Sequence, residues 1–342
     1  MHTLVTGGGG FLGRYICEQL AARGDRVRSF GRGAYPQLED LGVEVQRGDL
    51  ADRRAVTAAC DGVDCVFHVA ARAGIAMAWG AYETANVRGT QNVLDACRMT
   101  GVSRLVYASS PSVTFAGRDQ RGTDERGPYD FAWMAAQQAH YSRSKALAEQ
   151  AVLAANDHEL RTCALRPHLI WGPRDAHLIP RLIDRARRGR LRRVGDGSNL
   201  VDICYVENAA AAHLLAADAL AIPHSLAAGR TFYISQGEPV NCWQWIDELL
   251  ALAGLPRVER SISYPAARRV GAACEMIYRA LRLRGEPPMT RFLAAQLARS
   301  HWYDISAARR DLGYTPHVST AEGMRRLGAW LNQSGNRGGG DG

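Results

Sequence analysis

The sequence predicts an α/β chain: a doubly wound parallel sheet, followed by a smaller C-terminal substrate-binding lobe. Three observations predict it. Strand-like runs alternate with helix-spaced segments through the first half. Those strands run apolar rather than alternating apolar with polar, as strands covered by helices on both faces do. A run of glycines joins the first strand directly to the first helix.

The elements follow in order. Residues 2–6 are a short apolar strand. Residues 11–23 put Leu12, Tyr15, Ile16 and Leu20 on one helical face. Residues 26–30 and 43–47 are the second and third strands, and the third ends in GDL. A helix at 53–60, a strand at 65–69, a long helix at 84–99 and a fifth strand at 105–109 come next. A helix at 139–155 and a sixth strand at 162–170 complete the regular part. After Pro167 the pattern loosens, with turns at Gly172-Pro173, Gly195-Asp196-Gly197 and Glu286-Pro287-Pro288. Residues 1–167 are therefore read as the sheet domain, to which segments at about 200–240 return, among them a strand at 231–235. Residues 168–333 are mainly the lobe, and 334–342 a glycine-rich, flexible tail.

Composition narrows the function classes. With 46% apolar and 22% charged residues in 342, the chain is ordinary for a globular protein and unlike a disordered, collagenous or coiled-coil one. The net charge is +8, and the basic residues are lopsided: one lysine, Lys145, stands among 41 arginines. The arginines are spread along the chain. Their densest run, RLIDRARRGRLRR at 181–193, has helical spacing and reads as a solvated helix face, so no nucleic-acid partner is expected. The eight cysteines form no C-x-x-C pair and sit in apolar contexts, as free buried thiols of a reducing compartment do. No metal site is expected. MHTLVTGGGG lacks a basic segment leading into an apolar one. The alanine-rich stretch at 209–217 is broken by His213 and closed by Asp218, short of the ~20 apolar residues of a spanning helix. A cytoplasmic protein is the expectation.

Several motifs carry chemistry. Residues 7–13 read GGGGFLG, with Gly7, Gly10 and Gly13 spaced G-x-x-G-x-x-G between strand and helix. Glycine lets backbone approach a pyrophosphate, and a helix N-terminus offers N–H donors and positive dipole. Gly7, Gly10, Phe11, Leu12 and Gly13 are thus the dinucleotide-binding candidates of a Rossmann fold. The second strand ends Ser29-Phe30-Gly31-Arg32, with no acid for ribose hydroxyls. Arg32 can clamp a 2′-phosphate, so NADP(H) is expected over NAD(H). The alternative is one more surface arginine. In GDL at 48–50, Asp49 can accept from an adenine amino group while Leu50 packs on the ring; the alternative for Asp49 is a helix N-cap.

Tyr141 and Lys145, in YSRSK, share a helix face four residues apart. Tyrosine ordinarily titrates near ~10. An adjacent ammonium and an oxidised nicotinamide ring are expected to lower that value, so that Tyr141 gives and takes a proton near neutrality. Arginine would replace Lys145 poorly, because a compact ammonium can bond two ribose hydroxyls beside the tyrosine. In YASSP at 107–111, at the carboxyl end of strand five, Ser110 is preferred to Ser109 as the hydroxyl that bonds a substrate carbonyl. In NVRGT at 86–90, Asn86 is unfavourable inside a helix. A relay near Lys145 would explain it, and a local cap or kink is the alternative.

Together these residues resemble the extended branch of the short-chain dehydrogenase/reductase superfamily. TGGGGFLG, GDL, HVAA at 68–71, NVRGT, YASS, YSRSK and RPHLIWGP follow that branch's order. VGDGSNLVDICYVENAAAAHLL at 194–215, GEPPMTRF at 285–292 and WYDISAARRDLGYTP at 302–316 are similar to its 3β-hydroxysteroid dehydrogenase group. FLGRYICEQL, VLAANDHELRTCALRPHLIWGP and PSVTF resemble, within that group, the bacterial 2-alkyl-3-oxoalkanoate reductases of long-chain olefin biosynthesis. The resemblance implies Tyr141 as acid/base, Lys145 as ribose ligand, Ser110 as carbonyl donor and Asn86 as the end of the relay. It also implies Ala70 and Pro167 beside the cofactor. The segment at 115–139 matches no signature.

The expected activity is NADP(H)-dependent reduction of the 3-oxo group of a lipid-like substrate, 2-alkyl-3-oxoalkanoate to 2-alkyl-3-hydroxyalkanoate. A 3β-hydroxysteroid or sterol dehydrogenase is the alternative, and a non-catalytic NADP-sensing protein a more remote one. The resemblance implies a homodimer through the helices at 84–99 and 139–155. Association with other pathway enzymes or a membrane surface is a further expectation. VGAACEMIYRALRL at 270–283 reads either as an amphipathic core helix or as the wall of an acyl pocket, or a face turned to a membrane or partner.

Overall fold

A computed structural model describes residues 1–74, 78–283 and 285–337, the side chains of 334–337 excepted. The apolar runs become seven strands: β1 (His2–Thr6), β2 (Arg26–Gly31), β3 (Glu44–Arg47), β4 (Cys65–His68), β5 (Arg104–Ala108), β6 (Arg161–Pro167) and β7 (Arg230–Ile234). They form one parallel sheet in the order β7-β6-β5-β4-β1-β2-β3. The chain leaves β1 toward β2 and later returns to β4 on its other side, which opens a crevice at the carboxyl ends of these two strands. The register aligns those ends: Thr6 pairs with Phe30 and His68, and His68 with Tyr107.

Helices cover both faces. α1 (Phe11–Ala22) buries Leu12, Tyr15, Ile16 and Leu20, as its spacing predicts. α2 (Gly89–Thr100) stops at Gly101, whose φ of +73° suits a residue without Cβ. α3 (His140–Ala154) lies beside α2, and α4 (Val206–Ala221) packs on α1 and β5. The alanine-rich stretch is thus a core helix of the sheet domain. As expected, β7 returns to the sheet edge. Residues 301–314, expected in the lobe, also contribute here: Tyr303, Ile305, Ala308, Leu312 and Tyr314 join the core under α1 and α4.

Three expectations need correction, and the segment without a signature gains its structure. The helix expected at 84–99 is interrupted, because residues Glu83–Arg88 wind as a wider π-helix before α2. The sixth strand ends at Pro167, where Leu169 takes a left-handed φ of +42°. The segment at 115–139 supplies a strand, Gln120–Thr123, and a helix, Phe131–Ala136. The tail expected from Ser334 is helical as far as Arg337, and 338–342 lie outside the described residues.

The lobe carries a four-stranded sheet built from Val240–Asn241, Leu200–Val201, His301–Tyr303 and Gln120–Thr123. Its own core gathers Trp171, Trp243, Trp245, Ile246, Leu249 and Leu250. α5 (Tyr264–Ala280) packs on the helix Arg291–Ala298. The Arg181 run starts in the helix Leu178–Arg187, where Ile179 is buried; Arg187, Arg188, Arg190 and Arg192 are exposed, but Arg181, Arg185 and Arg193 are half-buried, so the run is a solvated face only in part. All eight cysteines are free, and all but Cys274 are buried. No helix among the described residues is long and apolar enough to cross a membrane.

Candidate active site

The crevice at the β1/β4 switch point is lined by every expected cofactor residue: Gly7, Gly10, Phe11, Leu12, Gly13, Arg32, Asp49, Leu50, Ala70, Tyr141, Lys145 and Pro167. Its floor is bare backbone. Gly7 holds a φ of +72°, and a Cβ there would stand 2.8 Å from Ala70 Cα. A Cβ on Gly13 would stand 2.1 Å from Gly7 O, so α1 and the loop touch only because Gly13 lacks one. No side chain caps α1, which leaves its first-turn amides toward the crevice. This cradle fits a pyrophosphate.

At the adenosine end, Asp49 Oδ1 accepts the Ala51 N–H at 2.9 Å. The N-cap of the following helix is Asp52 and not Asp49, since Asp52 Oδ1 accepts from Arg54 and Ala55 N–H. Asp49 is therefore a crevice wall. Arg32 is exposed at the rim. Tyr35 joins it, a residue that sequence reasoning missed. A Cβ on Gly9 would stand 2.1 Å from the Tyr35 ring, so the ring lies flat on the glycine loop. Its signal was an aromatic three residues after Arg32, just beyond β2.

At the other end stand Tyr141, Lys145 and Ser110. Lys145 is 1% exposed, and its Nζ donates to Ala108 O at 2.5 Å, 4.0 Å from the Tyr107 ring centre. Burial pulls its pKa down to about 7, against the opposing pull of Glu149 one turn later. Burial pushes the Tyr141 hydroxyl up to about 12, and a hydrogen bond with Ser110 opposes that rise. The expected lowering of Tyr141 by Lys145 is not seen, since burial raises the phenol instead. The ammonium is turned to β5, and desolvation dominates the phenol. Ser110 accepts the Ser112 N–H, which fixes its hydroxyl at the start of the short turn Pro111–Val113. Ser110 and Tyr141 line both the crevice and the adjoining cavity, whereas Ser109 lines the crevice.

Asn86 sits in the π-helical turn, 1% exposed. Its Oδ1 accepts Arg72 N–H at 2.7 Å, and its Nδ2 donates to Arg72 O and Ser144 Oγ. Ser144 in turn donates to Tyr141 O. Both amide hydrogens are committed, so Asn86 braces the 69–74 loop against the helix of Tyr141 instead of pointing at Lys145. Two further buried groups were not legible as partners. Thr6 donates to His68 Nδ1, and His68 Nε2 donates to Thr90, which donates to Asn86 O. Burial holds His68 neutral, near a pKa of about 3. Arg166 and Glu149 form a bidentate pair, 2% and 0% exposed, and Tyr129 donates to Glu149 as well.

Outside Tyr141 lies a second cavity of about 310 Å³. Pro111, Pro167, Leu169 and Phe292 give it apolar walls, and Gln138, His168, Glu275 and Arg181 its polar groups. Arg181 is the one guanidinium among the described residues that line it. It pairs with Glu286 at 2.9 Å. Glu275 is occupied by Arg291, through its N–H and its Nε.

Residues 4–265 match the model of the 3-beta hydroxysteroid dehydrogenase/isomerase family. The 2-alkyl-3-oxoalkanoate reductase of Stenotrophomonas maltophilia is 55% identical, over 96% of this chain and 99% of that protein. The human sterol-4-alpha-carboxylate 3-dehydrogenase, decarboxylating, is 34% identical, over 94% and 86%. Among solved structures, the UDP-glucose 4-epimerase of Thermus thermophilus, in complex with NAD, is 25% identical with a TM-score of 0.72, over 97% and 99%.

Proposed function

The chain belongs to the 3-beta hydroxysteroid dehydrogenase/isomerase family, and on that premise we propose that it reduces the 3-oxo group of a 2-alkyl-3-oxoalkanoate, giving the 2-alkyl-3-hydroxyalkanoate, with NADPH. It is a nicotinamide-dependent oxidoreductase of the extended short-chain type. The observation that carries the reading is the meeting of the Ser110 and Tyr141 hydroxyls on the wall shared by the crevice and the outer cavity.

The cofactor, when bound, supplies a hydride to the carbonyl carbon. The chain's own residues do the rest. The glycine loop and the α1 N-terminus hold the pyrophosphate, Asp49 and Leu50 the adenine, and Arg32 with Tyr35 the 2′-phosphate side. Lys145 has three donors. One is given to Ala108, which leaves two for ribose hydroxyls. Ser110 bonds the substrate carbonyl. Tyr141 is protonated at neutral pH, because its pKa is raised, and so stands ready to give its proton to the forming alkoxide. Arg181 is placed to exchange Glu286 for the substrate carboxylate. The reading includes a homodimer through residues 84–99 and 139–155, a cytoplasmic setting suited to buried free thiols, and a place in olefin biosynthesis beside other pathway enzymes.

Purified protein with NADPH and a 2-alkyl-3-oxo acid tests the activity, with NADH and a 3β-hydroxysterol as the comparison arms. Reduction of the keto acid with NADPH preferred is the expected result. Ready sterol oxidation without keto-acid reduction would move the protein to the sterol branch. Absence of turnover on either substrate would leave a nucleotide-sensing role.

A further inference from the structure

Four described residues line both the cofactor crevice and the outer cavity: Ser110, Tyr141, Pro167 and Leu169. The first two carry the hydroxyls of the reaction, and Pro167 ends β6. Leu169 has no such role, and its backbone is strained. Its φ is +42°, in the left-handed region where a Cβ crowds the following carbonyl oxygen. Of the five non-glycine residues with positive φ among those described, it alone is apolar. Gln138, the other one on this cavity, stops a helix: its N–H bonds Ala135 O, and the Ala139 N–H bonds Met134 O. Leu169 stands at no helix end.

The chain is pinned there from both sides. His168 N–H donates to Ile234 O at 3.1 Å and so still belongs to the main sheet. Leu169 O accepts the Cys204 N–H, and Ile170 and Trp171 pair with Cys204 and Tyr205. The kink at Leu169 is therefore the step by which the chain crosses from β6 to the lobe. Glycine makes such a step without strain. The sequence puts a branched side chain there, half-buried and packed on the lobe core that holds Trp171 and Trp245. Strain that the surroundings enforce beside reacting groups points to a function for the side chain it carries.

The substrate supplies that function. C2 of a 2-alkyl-3-oxo acid bears a hydrogen, the alkyl branch, the carboxylate and the oxo carbon. Ser110 and Tyr141 take the oxo group and Arg181 the carboxylate, which leaves the hydrogen and the branch to be told apart. Two fixed points and a wall settle it: against a packed leucine the hydrogen fits and the branch does not. C2 lies beside the oxo carbon, so its proton exchanges with water through the enolate, and a rejected epimer returns as the accepted one. Reduction removes the oxo group and with it that exchange, so the product keeps the configuration that reacted.

We propose that Leu169 sets the configuration at C2: held at the junction of crevice and cavity, its side chain faces the C2 hydrogen and excludes the alkyl branch from that side. This role rests on the keto-acid reading and goes beyond it, because it decides which epimer reacts. The test is the product of the full chain with NADPH and a racemic 2-ethyl-3-oxo acid, esterified and separated into its stereoisomers by chromatography. Wild type should give one configuration at C2. Leu169→Ala keeps the left-handed backbone and drops the wall, and the excess of that epimer should fall about tenfold or more. Leu169→Gly relieves the backbone as well, which protects folding, and should also give a mixture. Leu169→Met, of similar volume, should restore the excess. The ratio belongs to each turnover and does not depend on how much protein is folded, so a purely structural leucine would leave it unmoved. The configuration at C3, fixed by Tyr141 and the cofactor, should stay single throughout. A wild type that gives both C2 epimers would overturn the proposal and leave the keto-acid reading standing. An unchanged C2 ratio in the alanine variant would overturn it too, as would loss of C3 configuration together with C2, in favour of a loosened site. A wild type that leaves the acid unreduced would remove the reading and this role together.

Discussion

The Lys145 ammonium donates to the main-chain carbonyl of Ala108, which ties the middle of α3 to the last residue of β5. That bond sets the chain's lone lysine behind Tyr141 in a buried place, where losing water weakens its hold on a proton. Its pKa falls to about 7 from the 10.5 of an ordinary lysine. Between those values an unfolded chain carries one more proton than the folded one, so this site's contribution to stability rises with pH from about 7 toward 10.5.

A reagent that acylates neutral amines should therefore label Lys145, with a rate that climbs through pH 7 instead of waiting for pH 10. Peptide mass spectrometry should find one modified lysine side chain, turnover should be lost in proportion, and NADP(H) should protect. Labelling that leaves turnover intact would remove Lys145 from the site.

Tyr141→Phe should keep the fold and NADPH binding, read by fluorescence, and lose about 10²–10⁴-fold in keto-acid reduction. Because its folded pKa is raised to about 12, Tyr141 is the acid below that pH. Ketone reduction should thus show no tyrosine-dependent fall between pH 8 and 10. Alcohol oxidation, which needs the phenolate, should rise over the same range. Ser110→Ala should reduce both directions without moving these slopes.

The site was legible where chemistry depends on residue type and local spacing. Gly7, Gly10 and Gly13 declare themselves because only glycine can meet Ala70 and Gly7 O so closely, and Tyr141 with Lys145 because one helical turn separates them. The sheet was legible because a strand covered on both faces is apolar throughout. What stayed hidden depends on tertiary approach. The Arg166–Glu149 pair joins β6 to α3, and neither residue marks the other in sequence. The π-helical winding around Asn86 accompanies its bonds to Arg72 and Ser144, which a periodicity of 3.6 cannot anticipate. Val270 and Ile277 of α5, with Leu281 just beyond it, have the apolar spacing of a core helix and yet stand exposed. Only the buried line Ala267, Gly271, Glu275 shows which side faces in.

Arg32→Ala should weaken NADPH and leave NADH nearly unchanged. A lost charge-assisted contact is worth about 1.5–3 kcal/mol, or roughly 10- to 150-fold in KM for NADPH. Tyr35→Ala should move both cofactors, since its ring packs on the shared glycine loop. Equal losses for NADPH and NADH in the Arg32 variant would assign it to the surface.

Glu149→Gln leaves the Arg166 guanidinium buried without its carboxylate. Breaking such a pair costs about 3–5 kcal/mol, readable as a shifted denaturant midpoint. The double change Glu149→Leu, Arg166→Met should cost less than the single one, because no charge is stranded. Glu149 also holds the Lys145 pKa up, so its loss should bring the labelling midpoint of Lys145 below pH 7. A single variant as stable as wild type would deny the pair its place in the core.

Arg181 separates a keto acid from a neutral ketone. A 3-oxo group bonded by Tyr141 and Ser110 also favours loss of carbon dioxide from the neighbouring carboxylate, because the same donors stabilise the enolate left behind. A guanidinium on that carboxylate holds it as an ion pair and opposes the loss. Arg181→Met should raise KM for the 2-alkyl-3-oxo acid about tenfold or more, by the loss of one charge-assisted bond. It should leave KM for the methyl ester unchanged and increase the fraction of substrate recovered as decarboxylated ketone. Glu286→Gln, which frees Arg181 from its present partner, should lower KM for the acid. Parallel changes for acid and ester would show that Arg181 shapes the mouth of the cavity without reading the carboxylate.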